Sequence, residues 1–173
     1  MNWRTHVAIG ANAIWIIPYF GKVDSSILIL LPIAAFASLL PDIDAASAKI
    51  HYAGSGILGI FRGAFHGKYF HHRGIMHSLL AALLLLLILI ITTSPSYPLL
   101  PYVAALAYIS HPIIDGFNTG VGFLYPFVYK RYTLIPRALT FRVNSPADTL
   151  LMFLGIAGLL IFFVGFGPTL MPH

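Results

Sequence analysis

The sequence contains no cysteine. Disulfides and thiolate metal sites are therefore excluded, and any metal must be held by imidazole and carboxylate. Glutamate is absent too, so the only acids are Asp24, Asp42, Asp44, Asp115 and Asp148. Charge of either sign is scarce, at 9% of residues against 58% hydrophobic, where ordinary soluble domains carry about 25% charged residues. So few charges cannot cover a water-facing surface, and a bilayer must solvate much of the chain. A length of 173 residues makes a single membrane-embedded domain, 1–173, the natural expectation. No internal repeat, low-complexity tract or heptad pattern is present.

What is there is a set of apolar segments. They run from about Thr5 to Phe20, Ser26 to Leu40, Ile75 to Thr93, Pro98 to Ile114 and Ala147 to Phe166. A perpendicular span needs roughly 20 residues, with a range of about 17–25. The third and fifth meet that length, and the first two read as a hairpin around Gly21 to Ser25. The fold class expected is an all-α integral membrane protein of about five hydrophobic helices. Arg4 precedes the first segment, but Pro18-Tyr19-Phe20 makes a poor cleavage site, so this segment is expected to stay in the mature protein. Ile57, Ile60, Phe61, Ala64 and Phe65 recur at helical spacing, which predicts a short interfacial helix in the first long connection. Ser145-Pro146-Ala147-Asp148 is a good helix start, with a serine cap, proline at the first helical position and an acid in the first turn.

The formal charge is +5. In a membrane protein, basic residues speak first to orientation and anionic lipid. If the segments alternate direction, Arg4 and the connections Pro41–Gly74 and Gly116–Pro146 share one side, with Lys22 opposite. The positive-inside rule then places the N-terminus and both basic loops in the cytoplasm and the C-terminus outside. A nucleic-acid partner is not expected, because the aromatics lie in membrane-like runs and form no stacking platform.

That topology brings scattered polar residues to one level. His6 opens the first helix, Asp42 and Asp44 follow the second, His72 and His77 open the third, and His111 and Asp115 close the fourth. His111 and Asp115 are four apart and share a helix face. His72 and His77 are five apart, and Gly74 lets the chain turn between them. Singly, each has a structural explanation: an interfacial histidine, a polar helix end, an ion pair. Together, ionisable groups at membrane depth are costly and face a polar interior or a partner. The seven residues make a metal site at the cytoplasmic helix ends. Mixed imidazole and carboxylate donors suit zinc first, with manganese or iron compatible, and calcium or magnesium less so. Seven groups suffice for one or two ions. His51 and His66 are left to the surface.

Leu39-Leu40-Pro41-Asp42-Ile43-Asp44, His72-Arg73-Gly74 with His77-Ser78, and Ser110-His111 with Asp115 resemble the YdjM-like family of membrane-bound metal-dependent hydrolases. The resemblance covers roughly His6 to Pro126. Met76 stands where the family pattern usually has threonine, and Thr119-Gly120 is similar to a threonine-containing turn that follows the last motif. The resemblance implies a metal-dependent hydrolase of a bacterial or archaeal membrane, and by analogy a distant likeness to helical zinc phospholipases C and P1-type nucleases. In that reading whichever of Asp42, Asp44 or Asp115 is not fully used as ligand steers the attacking water or takes its proton, and Arg73 binds phosphate oxygens through its planar fork. His71, Asn118 and Thr119 complete substrate binding. Membrane lipid is the expected substrate, cut at a phosphoester. An amide or ester bond of lipid is the alternative. Tyr129, Tyr132, Phe141 and Asn144 are candidates for a lid. A metal-binding transporter is disfavoured, since Leu79 to Ile91 offers no polar side chain for a path across the bilayer.

Overall fold

Asn2 starts the first helix: its side-chain oxygen accepts from the Arg4 amide at 3.1 Å, satisfying a donor that the helix leaves unpaired. The computed structural model describes residues 1–20, 23–44, 74–118 and 120–170. Helix α1 (Trp3–Gly10) tightens into a 3-10 stretch (Ala11–Ile16) and ends as the short α2 (Ile17–Phe20). After Asp24, whose carboxylate accepts from the Ser26 amide at 2.8 Å, α3 (Ile27–Ala37) leads into a 3-10 turn (Leu40–Asp44). A second 3-10 turn (Ile75–His77) precedes α4 (Leu79–Thr92), which Ser78 caps by accepting from the Ala81 amide. Then follow α5 (Leu100–Gly116) and α6 (Pro146–Phe166). Ser145 caps α6 as its sequence predicts, with Pro146 in the first turn. The described residues contain no β-strand, and their one ladder contact is the isolated antiparallel bridge of Val121 with Tyr132.

Each apolar segment carries helix, as the expectation of an all-α chain with about five hydrophobic helices requires. Among the described residues, only α6 is both long and apolar enough to cross a membrane, at 21 residues, or roughly 31 Å at about 1.5 Å per residue. The apolar helices α3 and α4 are shorter, at 11 and 14 residues. The cause is local. The first segment changes to 3-10 geometry after Gly10, and Ser78 takes an extended conformation (φ −93, ψ 158) that delays α4 to Leu79. The interfacial helix expected around Ile57 to Phe65 lies outside the described residues.

Helix α5 is the central element. It packs on α1, α3 and α4, while α6 lies along α1. The core they enclose includes Ile14, Ile17, Leu30, Val103 and Phe162. The outer faces are as apolar as the inside. Leu84, Leu87, Ile88 and Ile91 of α4 and Leu154, Leu160, Ile161 and Val164 of α6 are exposed, a surface that water would not tolerate on this scale and that lipid covers without cost.

Close crossings rely on small residues. A Cβ on Gly155 of α6 would lie 2.8 Å from the backbone of Ala8 in α1. Next to that contact, Asn12 donates to the Ala8 and Gly155 carbonyls at 2.7 and 2.9 Å, and Trp15 donates to the Gly158 carbonyl at 3.2 Å. The connection after α5 folds back on the same end of the bundle. Leu134 N–H donates to Gly116, and Leu79 N–H, at the start of α4, donates to Phe123.

We expect Gly155→Ala to destabilise the protein by about 1–3 kcal/mol, the usual cost of overpacking, because backbone cannot move aside cheaply. A methyl at Gly165 meets nothing within 4 Å, so Gly165→Ala should leave stability unchanged or raise it. Thermal unfolding in detergent, followed by circular dichroism, compares the two.

Candidate metal centre

Four helix ends deliver the donors. His6 lies in the first turns of α1, Asp42 on the 3-10 turn beyond α3, His77 on the turn before α4, and His111 and Asp115 in the last turns of α5. His6, His77, His111 and Asp115 are buried to within 1%. Two triads result: His6, His111 and Asp115, and Asp42, His77 and His111. Within each, ligand atoms lie within 4.8 Å of one another.

The electrostatics follow from one contact. His111 Nδ1 is 2.7 Å from the Ser38 carbonyl oxygen. A carbonyl only accepts, so Nδ1 carries the proton and the neutral ring presents the lone pair of Nε2. That Nε2 makes no hydrogen bond among the described residues, yet stands 3.4 Å from Asp42 Oδ1. A lone pair beside a carboxylate oxygen is a pair of donor atoms able to hold a cation between them.

Other donor pairs lie nearby. His77 Nε2 is 3.7 Å from Asp42 Oδ1 and 3.9 Å from Asp115 Oδ2, and His6 Nε2 is 3.4 Å from Asp115 Oδ1. Bonds of about 2.0–2.2 Å in a tetrahedral site separate donors by about 3.3–3.6 Å. The two 3.4 Å separations fall in that range and those of His77 are wider, so the donor set fits a first-row ion in its chemistry, with His77 the more distant donor. His111 can serve only one ion, because its other nitrogen is committed to Ser38, so the two triads compete for it.

Charge and support differ around the cluster. Asp115 Oδ1 also accepts from the Met1 ammonium at 2.6 Å. His6 stacks on His111 with ring centroids 3.6 Å apart and planes 8° from parallel. Neither ring nitrogen of His6 makes a hydrogen bond among the described residues.

Of the seven ligands expected from sequence, these five converge. Asp44 ends its turn, but its side chain, with His71, His72, Arg73 and Thr119, lies outside the described residues. Asn118 follows the cluster: its N–H donates to the Asp115 carbonyl, and its Nδ2 is buried without a hydrogen-bond partner among the described residues. Among the residues considered for a lid, Tyr132 is bridged to Val121 and Asn144 is tied to α1 and α6.

Two supports were not read from sequence. Ser38 is one, a single polar residue between Leu28 and Leu40. A Cβ at Gly10 would overlap its Cβ, so that glycine lets α1 approach Ser38 closely. Tyr108 is the other. Its hydroxyl donates to the Met76 carbonyl and fastens the turn that carries His77.

The sequence model of the family described as "YdjM inner membrane protein" matches residues 1–169. No curated protein and no solved structure matches the chain.

Tyr108→Phe should weaken zinc binding about 10-fold, the lower end of losses when an outer support of a ligand is removed, while the exposed Tyr102→Phe should not. Competition against a chromogenic zinc chelator measures both.

Proposed function

Because the chain belongs to the YdjM family of inner membrane proteins, we propose that it is a membrane-bound metal-dependent hydrolase that cuts a phosphoester of a lipid-like substrate. The observation that carries this reading is the His111 lone pair set against Asp42, within a group of three imidazoles and two carboxylates buried at one end of the bundle. Evolution rarely keeps such groups at membrane depth without a partner. Zinc suits them best, and three of these residues would hold it. A bound ion supplies Lewis acidity and a water that is nucleophilic at neutral pH.

The residues divide the remaining work. The Asp42 side chain is 22% exposed, while those of His77 and His111 are fully buried and that of Asp115 is 2% exposed. Water and substrate therefore approach past Asp42, and this carboxylate is best placed to take the proton of the attacking water. Asp44, two residues on, is the other choice for that role. Asn118 offers a buried amide N–H₂ that lacks an acceptor among the described residues, which suits a phosphoryl or carbonyl oxygen. Arg73, with His71 and Thr119, would add positive charge and hydrogen bonds for the same group.

Lipid is favoured as the substrate class because the site sits at the ends of helices whose outer faces are apolar. The same view makes the protein multi-pass, with α1–α2 and α3 as a hairpin and the basic connections, together with the metal site, on the cytoplasmic side.

The test is metal content and hydrolysis in detergent. Wild type should carry one or two zinc, manganese or iron ions per chain and release phosphate or a phospho-headgroup from a lipid mixture. His77→Ala with Asp115→Ala should lose both metal and activity. A chelator should lower Tm, since an ion at 100 times its Kd contributes about 2.7 kcal/mol. Release of fatty acid without phosphate would move the reading to an ester or amide bond, and metal uptake into proteoliposomes without hydrolysis would overturn it.

A further inference from the structure

His111 is oriented by its own hydrogen bond to Ser38, but His6 has none among the described residues. Its placement depends on where the first turn of α1 is held. One carboxylate outside the metal cluster holds it. Asp148, in the first turn of α6 and 1% exposed, uses both oxygens on the start of α1 and the turn before α6. Oδ1 accepts from the Thr5 hydroxyl at 2.6 Å, and Oδ2 accepts from the Asn2 amide at 3.1 Å and the Asn144 amide at 2.8 Å. The Asn2 side chain closes the ring by donating to Asn144 Oδ1 at 2.6 Å. Asn144 has φ 60, a left-handed conformation that asparagine tolerates better than most residues. Thr5 is the neighbour of His6 in the chain and is itself 1% exposed.

We infer that Asp148 is a positioning residue of the metal centre: through Thr5 and Asn2 it fixes the end of α1 so that His6 stands stacked against His111 and facing Asp115. The sequence pattern at Ser145 to Asp148 explains a helix start, and Ser145 performs that role by accepting from the Asp148 amide. It does not account for a buried carboxylate that also takes two donors from α1, the Asn2 amide and the Thr5 hydroxyl. In ordinary metal sites the orienting group touches the ligand ring directly, and its removal costs 10–100-fold in affinity. Here the same support passes through the helix backbone.

This inference rests on the metal reading above, and its test separates the two. Zinc affinity is measured on the full chain in detergent by competition with a chromogenic chelator, alongside Tm. Asp148→Asn puts an NH₂ group either where Oδ2 accepts both amides or where Oδ1 accepts the Thr5 hydroxyl, and should weaken zinc binding about 10-fold or more. Thr5→Val keeps the volume, removes one hydrogen bond and should act in the same direction even if Asp148→Asn fails to fold. Thr5→Ser, which keeps the hydroxyl, should restore wild-type affinity. Trp15→Phe removes the Trp15–Gly158 hydrogen bond that joins the same two helices farther from the cluster. It should lower Tm and leave affinity unchanged. Wild-type affinity in Thr5→Val, or an equal loss in Trp15→Phe, would overturn the positioning role. A wild-type protein that takes up no zinc, manganese or iron would remove the metal reading itself.

Discussion

The contact between His111 Nδ1 and the Ser38 carbonyl fixes more than one ring. It places the proton on Nδ1, so Nε2 becomes a lone pair aimed into a buried space that already contains two carboxylates. It also joins α5 to the end of α3, and Ser38 in turn lies against Gly10 of α1. Three of the helices that carry donors thus meet at one point, and the distances between donors are set by how closely those helices approach. The glycine allows the approach and the carbonyl gives it a chemical consequence.

Around that point, each donor is held by a different device. Tyr108 of α5 fastens the turn of His77 from behind. Asp115 rides on the same helix face as His111, one turn further on. Asp42 sits on a turn closed by the donation of its own amide to the Leu39 carbonyl, and it keeps the most access to solvent. His6 is carried by a helix pinned at its start to α6. A site assembled from separate helix ends needs such supports, because no single element makes it rigid.

The bilayer explains the rest of the architecture. With apolar surroundings outside as well as inside, helices gain little from hiding their leucines and must associate through close backbone approach and interhelical hydrogen bonds. The α1–α6 contact is of this kind. Gly155 meets the Ala8 backbone, and Asn12 and Trp15 donate to carbonyls across the gap. The exposed leucines of α4 and the valine and isoleucines of α6 are then ordinary lipid-facing residues.

Much of this was legible in the sequence by itself. The absence of cysteine and glutamate confined any metal to histidine and aspartate, the scarcity of charge required a lipid environment, and the apolar runs marked the helices. Alternation of direction was enough to bring His6, Asp42, His77, His111 and Asp115 to one end, because helix ends are ordered by connectivity alone. Helix length was less legible: apolar composition does not reveal a change to 3-10 geometry after Gly10 or the extended residue at Ser78. The supports were hidden for a different reason. Ser38 acts through its backbone carbonyl, Tyr108 through a contact with another backbone carbonyl, and Asp148 through partners more than 140 residues away in the chain. A sequence names the side chains that are chemically able to bind a metal. Which nitrogen carries the proton, and which distant group holds each ligand still, depend on distances that only the packed helices set.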